Sequence, residues 1–216
     1  MDALARLLGD DRFEGEEFAD LDASGVDLSE KDFTRCTFRR VTMPETVWRG
    51  VRLEECEFAS CDLARARPAR LSLRGATFTA CRLTGIEWSD LAANPTVSFT
   101  ECNLQYSSFV GINLTGTSFR RCRLLEAHFV DVRLAEADFS GSDLSGSTFD
   151  GCDLTRADFG DAIGLYLEAA KNRVKGARIS VATAMLMATA LGFRISGVDD
   201  EPSPRQPSSG RRRSAS

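Results

Sequence analysis

Histidine is almost missing from this sequence: His128 is the only one in 216 residues. It stands beside a central Phe and is expected to point outward, so neither a nucleophilic triad nor a His-containing zinc site can be assembled around it. The seven cysteines are an odd number and no two form Cys-x-x-Cys, which removes the usual thiolate metal spacing. There is no Gly-rich phosphate loop and no nucleophile elbow, so an enzyme is not expected, nor any cofactor. No run of 18 apolar residues occurs, so no membrane segment is expected. The opening "MDALARLLGDDRF" carries acids where a secretory leader carries bases, and the expected location is the cytoplasm, with free thiols. Residues 101–170 hold 11 acids against five bases. Direct binding of nucleic acid needs the opposite balance.

What the chain does have is phenylalanine at a fixed interval. In "ADFSGSDLSGSTFDGCDLTRADFGDA", Phe139, Leu144, Phe149, Leu154 and Phe159 recur every five residues. Neither a helix, with its period of 3.6, nor a strand, with its period of 2, can bury such a set on one face. A coil of short segments that turns a corner after each one can. The beat runs back from Phe159 to Phe99 without a miss, slips by one residue, and continues from Trp88 to Phe13. Of these 29 central positions 27 are Phe, Leu, Trp or Met, Ala23 and Pro68 being the departures, and 13 of the 14 Phe fall on the beat. Such regularity is a property of the whole fold.

The cysteines were not used to find the beat, yet Cys36, Cys56, Cys61, Cys81, Cys102, Cys122 and Cys152 all lie two residues before a central position. That marks a second inward position which admits only small side chains, shared with Ala66, Ala76, Ala127, Ala137 and Ala157. Cysteine pairs 20 residues apart (36/56, 61/81, 102/122) and the Phe/Leu alternation after Phe99 both follow if four five-residue faces close one square coil.

At this point the sequence resembles the pentapeptide-repeat family, whose unit is a small residue, Asp or Asn, a central Leu or Phe, and two mostly polar residues. "ADFSG", "SDLSG", "CDLTR" and "ADFGD" fit it directly. The resemblance implies an all-β fold, a right-handed quadrilateral parallel β-helix of about eight coils. The expected organisation is an N-terminal cap over residues 1–12, the β-helix over 13–179 with a register break at 89–98, a capping and dimerisation helix over 180–196, and a disordered tail over 197–216 rich in Pro, Ser and Gly. Ser180 is suited to cap the helix and Gly192 to stop it.

Three surfaces are candidate sites. The break contains Asn94-Pro95, a turn dipeptide, and a small loop of Ser89, Asp90, Leu91, Asn94, Pro95 and Thr96 is read either as a tolerated insertion or as a recognition element. Asp138, Asp143, Asp150, Asp153, Asp158 and Asp161 form an acidic set. Val181, Met185, Leu186, Ala188, Leu191 and Phe193 present more apolar surface than covering one coil end needs.

The order of acidic rod, central break, closing "KGARIS" and terminal "ALGFRI" is similar to the topoisomerase-protecting branch of the family, which includes the Qnr quinolone-resistance and mycobacterial MfpA proteins and the albicidin, microcin and cystobactamid resistance proteins. That resemblance implies a two-fold dimer through the C-terminal helix, a rod that imitates duplex DNA, and binding to DNA gyrase, with topoisomerase IV as a second partner. The break adds a single residue where Qnr proteins carry sizeable loops, so the albicidin and cystobactamid type is the nearer match. The alternative is a structural or assembly scaffold with no topoisomerase contact.

Overall fold

The computed structural model describes residues 3–196. The five-residue beat becomes a parallel β-solenoid of about eight turns. Each strand pairs with the one 20 residues later: Phe13 lies on Phe33, Phe18 on Phe38, Val47 on Arg67 and Ser108 on His128. Four columns of central side chains therefore run up the inside. At about 4.8 Å per coil the stack is about 40 Å long.

The second face carries the spine of the molecule. Phe18, Phe38, Phe58, Phe78, Phe99, Phe119, Phe139 and Phe159 stack ring on ring, with centroids from 4.5 Å (Phe38–Phe58) to 5.5 Å (Phe78–Phe99) apart. In the C-terminal half the fourth face adds Phe109, Phe129 and Phe149, which meet the spine edge-on, as between Phe129 and Phe139 at 5.9 Å and 89°. Stacked and edge-on rings each add roughly 0.5–1.5 kcal/mol beyond the area they bury.

Three-residue strands with a buried centre and exposed flanks alternate with corners. The corner residue, two after the central one, lies in the left-handed region at most corners even where it is not glycine, as at Asp20 (φ 53°), Arg40 (φ 50°), Tyr106 (φ 59°) and Glu126 (φ 53°). This geometry costs an L-residue free energy in isolation and is held by hydrogen bonds to the next coil, such as Asp20 N–H to the Arg39 carbonyl at 3.0 Å. All seven cysteines are buried and free, at the small inward position. Their thiols face carbonyl oxygens, Cys61 Sγ donating to Phe38 O at 3.3 Å, and burial pushes the Cys56 thiol up to about 11. A thiol raised in this way is core filler with little thiolate to react; Cys122 alone is shifted down, by its hydrogen bond with Cys102.

Helix α1 (Ala3–Gly9) buries Leu7 over the first coil. Beneath it Lys31, only 5% exposed, donates from Nζ to the carbonyls of Asp10 (2.5 Å) and Leu8 (3.4 Å). Helix α2 (Val181–Ala190) covers the other end, with Ser180 Oγ accepting from Thr183 N–H at 3.1 Å and Gly192 at φ +86° after its last turn. Thr183 is buried and Met187 packs on the core. The tail expected over residues 197–216 falls outside the described residues.

At the break, the strand Ser72–Thr79 pairs with Thr96–Thr100, and the register shifts between Thr96 and Val97. Asn94 turns the chain at φ 54°, and Thr96 Oγ1 takes the Gly75 N–H at 2.7 Å. The same region holds a packing irregularity: Pro68 stands between Trp48 and Trp88 on the fourth face, leaving a void of about 10 Å³. Trp48 Nε1 donates to Thr46 Oγ1 at 2.6 Å, whereas Trp88, with Ile86 in the corresponding place, has a buried Nε1 without a partner among the described residues.

Candidate functional site

Outward residues at the same phase of the beat stack in columns, so the coil decides which charges meet. In the sequence, residues 10–32 look strongly acidic, but the fold neutralises most of them. Asp11 pairs with Lys31, Glu14 with Arg35, Glu16 with Arg6, Glu17 with Arg39, Asp20 with Arg40, Glu30 with Arg70, and Asp32 with Arg52. Several of these partners are 20 residues apart, so the pairing runs along columns, and the Arg40 fork on Asp20 (2.6 and 2.7 Å) is bidentate. The hydrogen bond from Arg40 holds the Asp20 carboxyl below its ordinary value, while Ser24 and Ser29 do the same for Asp22 and Asp27.

The six aspartates of the acidic set are not on one face. Asp138 and Asp158 share a column on the second face, with Asp161 at the corner that ends it; Asp143 is on the third, Asp150 on the fourth and Asp153 on the first. Three of them are compensated, Asp138 by Arg120 (3.6 Å), Asp153 by Arg173 (4.0 Å) and Asp158 by Arg178 (2.7 Å). Asp143, Asp150 and Asp161 form no ion pair among the described residues, although Lys171, paired with Glu168, is near enough to Asp150 to feel its charge. Glu126 and Asp131, outside that set, are equally uncompensated. Their signal was in the sequence: the passes "LEAHFVDV" and "SGSTFDGC" contain acids and no Lys or Arg.

Loop residues Ser89, Leu91, Asn94 and Pro95 line a shallow depression of about 260 Å³ against Gly111, Ile112 and Asn113. Asp90 is exposed next to it. Thr96, by contrast, is tied down as part of the strand by its bond to Gly75. Within the apolar set, Val181 (78% exposed), Leu186, Leu191 and Phe193 are open to solvent, while Met185 and Ala188 are half-buried. Ile163 and Tyr166 extend this exposed patch, and a groove of about 440 Å³ runs between Tyr166–Ala170 and Met187, Ala190 and Leu191. Among the described residues no group of three or more His, Cys, Asp or Glu is placed to hold a metal.

A coil of four five-residue faces with this inward code matches a family model, the pentapeptide repeat region, over residues 94–159. Over those residues the chain carries a pentapeptide repeat region. Over 82 residues, 38% of its length, it is 33% identical to the pentapeptide repeat protein MfpA of Mycobacterium tuberculosis, and the match spans 45% of that relative. A trypsin-treated form of QnrB1, a plasmid-mediated fluoroquinolone resistance protein, superposes with a TM-score of 0.59 at 20% identity, covering 85% of this chain and 97% of the other. HetL, a pentapeptide-repeat protein involved in heterocyst differentiation regulation in the cyanobacterium Nostoc, reaches a TM-score of 0.48 at 19% identity, over 81% of this chain and 91% of its own. The pentapeptide repeat accounts for the inward residues; what the protein binds is set by the outward ones.

Proposed function

We propose that this protein is a binding rod that occupies the cationic DNA-binding surface of a bacterial type II topoisomerase, DNA gyrase in the first place, and protects the enzyme from a poison acting on cleaved DNA. The observation that carries the reading is the uneven compensation of charge: Glu126, Asp131, Asp143, Asp150 and Asp161 stand on a rigid scaffold without ion pairs among the described residues. Support also comes from QnrB1, a fluoroquinolone resistance protein with this fold, and from the similarity to MfpA. Fields of this kind speed encounter with a cationic partner and are weakened by salt.

The C-terminal end is read as the site of pairing with a second copy. Val181, Leu186, Leu191 and Phe193 are large apolar residues left exposed on and just after one helix. Leu186→Asp should give a monomer in sedimentation with the β-solenoid's circular dichroism intact; a variant that stays dimeric contradicts this mode of pairing.

The test of the function is gyrase supercoiling at a fixed dose of ciprofloxacin, albicidin or cystobactamid while the protein is titrated upward from sub-stoichiometric amounts. Restored supercoiling with one of them is expected and names the drug class. No restoration with any, and no inhibition of gyrase at high dose, rejects the reading in favour of a scaffold role.

A further inference from the structure

Four successive passes of the chain over the fourth face, residues 85–91, 105–112, 125–132 and 145–152, contain no Lys or Arg. The last three form one parallel sheet, Ser108–Val110, His128–Val130 and Thr148–Asp150, in the register Ser108 on His128 on Thr148 and Val110 on Val130 on Asp150. Glu87 bridges to Ser108 and continues the column. The inner side of this sheet is filled by Phe109, Phe129 and Phe149. Among the described residues no helix and no further strand is packed on its outer side.

That outer side is neither an ordinary polar solenoid surface nor a simple acidic patch. At its centre are Val110, 39% exposed, and half-buried Val130; at its edge is Tyr106, 56% exposed at a left-handed corner. Around these apolar groups stand Glu87, Asp90, Glu126, Asp131 and Asp150, all exposed. Among the described residues none of their carboxylates has an ion pair or a side-chain hydrogen bond, unlike the serine-bound Asp22, Asp27 and Asp143. A flat sheet with an aliphatic centre, an aromatic edge and a ring of unsatisfied carboxylates has the layout of a protein interface, in which apolar contacts sit inside a polar rim. The sign of the rim fixes the partner. Nucleic acid is repelled, and carboxylates spread over successive coils do not converge on a metal.

We infer that the outer face of the sheet formed by residues 108–110, 128–130 and 148–150 is the docking surface for a protein presenting Lys and Arg around a small apolar contact. For gyrase as that partner the inference rests on the function proposed above; the face itself does not. The other three faces lack this combination because paired arginines stand on their outer surfaces and corners: Arg35 and Arg52 on the first, Arg39 and Arg120 on the second, Arg65 and Arg82 on the third.

Two triple variants of the full chain separate the face from net charge. Asp90→Asn/Asp131→Asn/Asp150→Asn neutralises the face, and Glu101→Gln/Glu136→Gln/Asp158→Asn neutralises ion-paired acids elsewhere, so both change the charge by the same amount. Binding is measured to the gyrase holoenzyme and, separately, to a deca-lysine peptide. The face variant is expected to weaken both by about tenfold and the control by no more than about twofold. Should the triple variant fold poorly, Val110→Lys, which sets a cation in the centre, is expected to give the same loss. If the wild type binds gyrase and the two triple variants weaken it equally, the docking face is wrong and the proposed function stands. If the wild type ignores gyrase but deca-lysine binding falls only in the face variant, the proposed function fails and the face stands. Equal losses with deca-lysine in that case overturn the face too.

Discussion

In the first coils Arg40 forks onto Asp20 and Arg52 reaches Asp32, whereas in the sixth and seventh Glu126 and Asp131 lie against Gly146 and Gly151, Asp150 lies on Val130, and none of the three has an ion pair among the described residues. The phenylalanine spine passes through both regions with nearly the same spacing, 5.0 Å between Phe18 and Phe38 and 4.9 Å between Phe119 and Phe139. One repeat thus carries two unrelated surfaces. The inward code is constrained at every coil by packing, while the outward code is free to differ, and stability and recognition are written in separate positions of the same five residues.

The comparison breaks most severely if the core is not shared. Phe38→Ala and Phe119→Ala each empty one rung of the spine between two stacked rings and should each cost about 3–5 kcal/mol in chemical denaturation. A cost in one half that is much smaller than in the other would show that the spine does not carry both equally.

A smaller effect sharpens the contrast at the break. Trp48→Phe discards the bond to Thr46, whose hydroxyl keeps only its bond to the Met43 carbonyl, whereas Trp88→Phe discards a donor that has no bond to lose among the described residues. With similar loss of volume, the first should cost about 1–2 kcal/mol more than the second. Equal costs would mean that Trp88 Nε1 is satisfied in solution.

Acid should act first on the ion-paired end, and gently. Asp20, Asp22 and Asp27 have folded pKa values below their unfolded value of 3.8, so the stability they add is present above about pH 4 and is lost as pH falls through the lower folded values. Asp153 alone shows the same lowering in the C-terminal half, through Thr155. Hydrogen exchange between about pH 4 and pH 3 should therefore rise in coil one before it rises around residues 125–150. Simultaneous loss of protection would contradict this order.

The fold was legible because its signal is redundant: Phe, Leu and Cys report the same period independently, and a single misread residue cannot hide it. The surface was only half legible. Pentad phase assigns Asp138 and Asp158 to one column and Asp150 to another, so their separation was available in principle. What reading along the chain obscures is that a charge meets its partner 20 residues away: Asp20 lies within an acidic run yet belongs electrostatically to Arg40. Tyr106 and Val110 gave no signal of their own, since an outward apolar residue breaks no rule of the repeat. They matter only beside carboxylates that other coils supply.

The spacing of the coils also sets a limit on imitation. Duplex DNA carries one charge per about 1.7 Å of axis, so a length equal to this rod, about 40 Å, holds about 24. The whole chain carries a formal −5. Linear charge density is thus several-fold too low to replace DNA phosphate by phosphate, and an enzyme that grips a long duplex would release few counterions to this protein. Its affinity should fall with salt far less steeply than that of the DNA it displaces, leaving the rod relatively favoured as ionic strength rises.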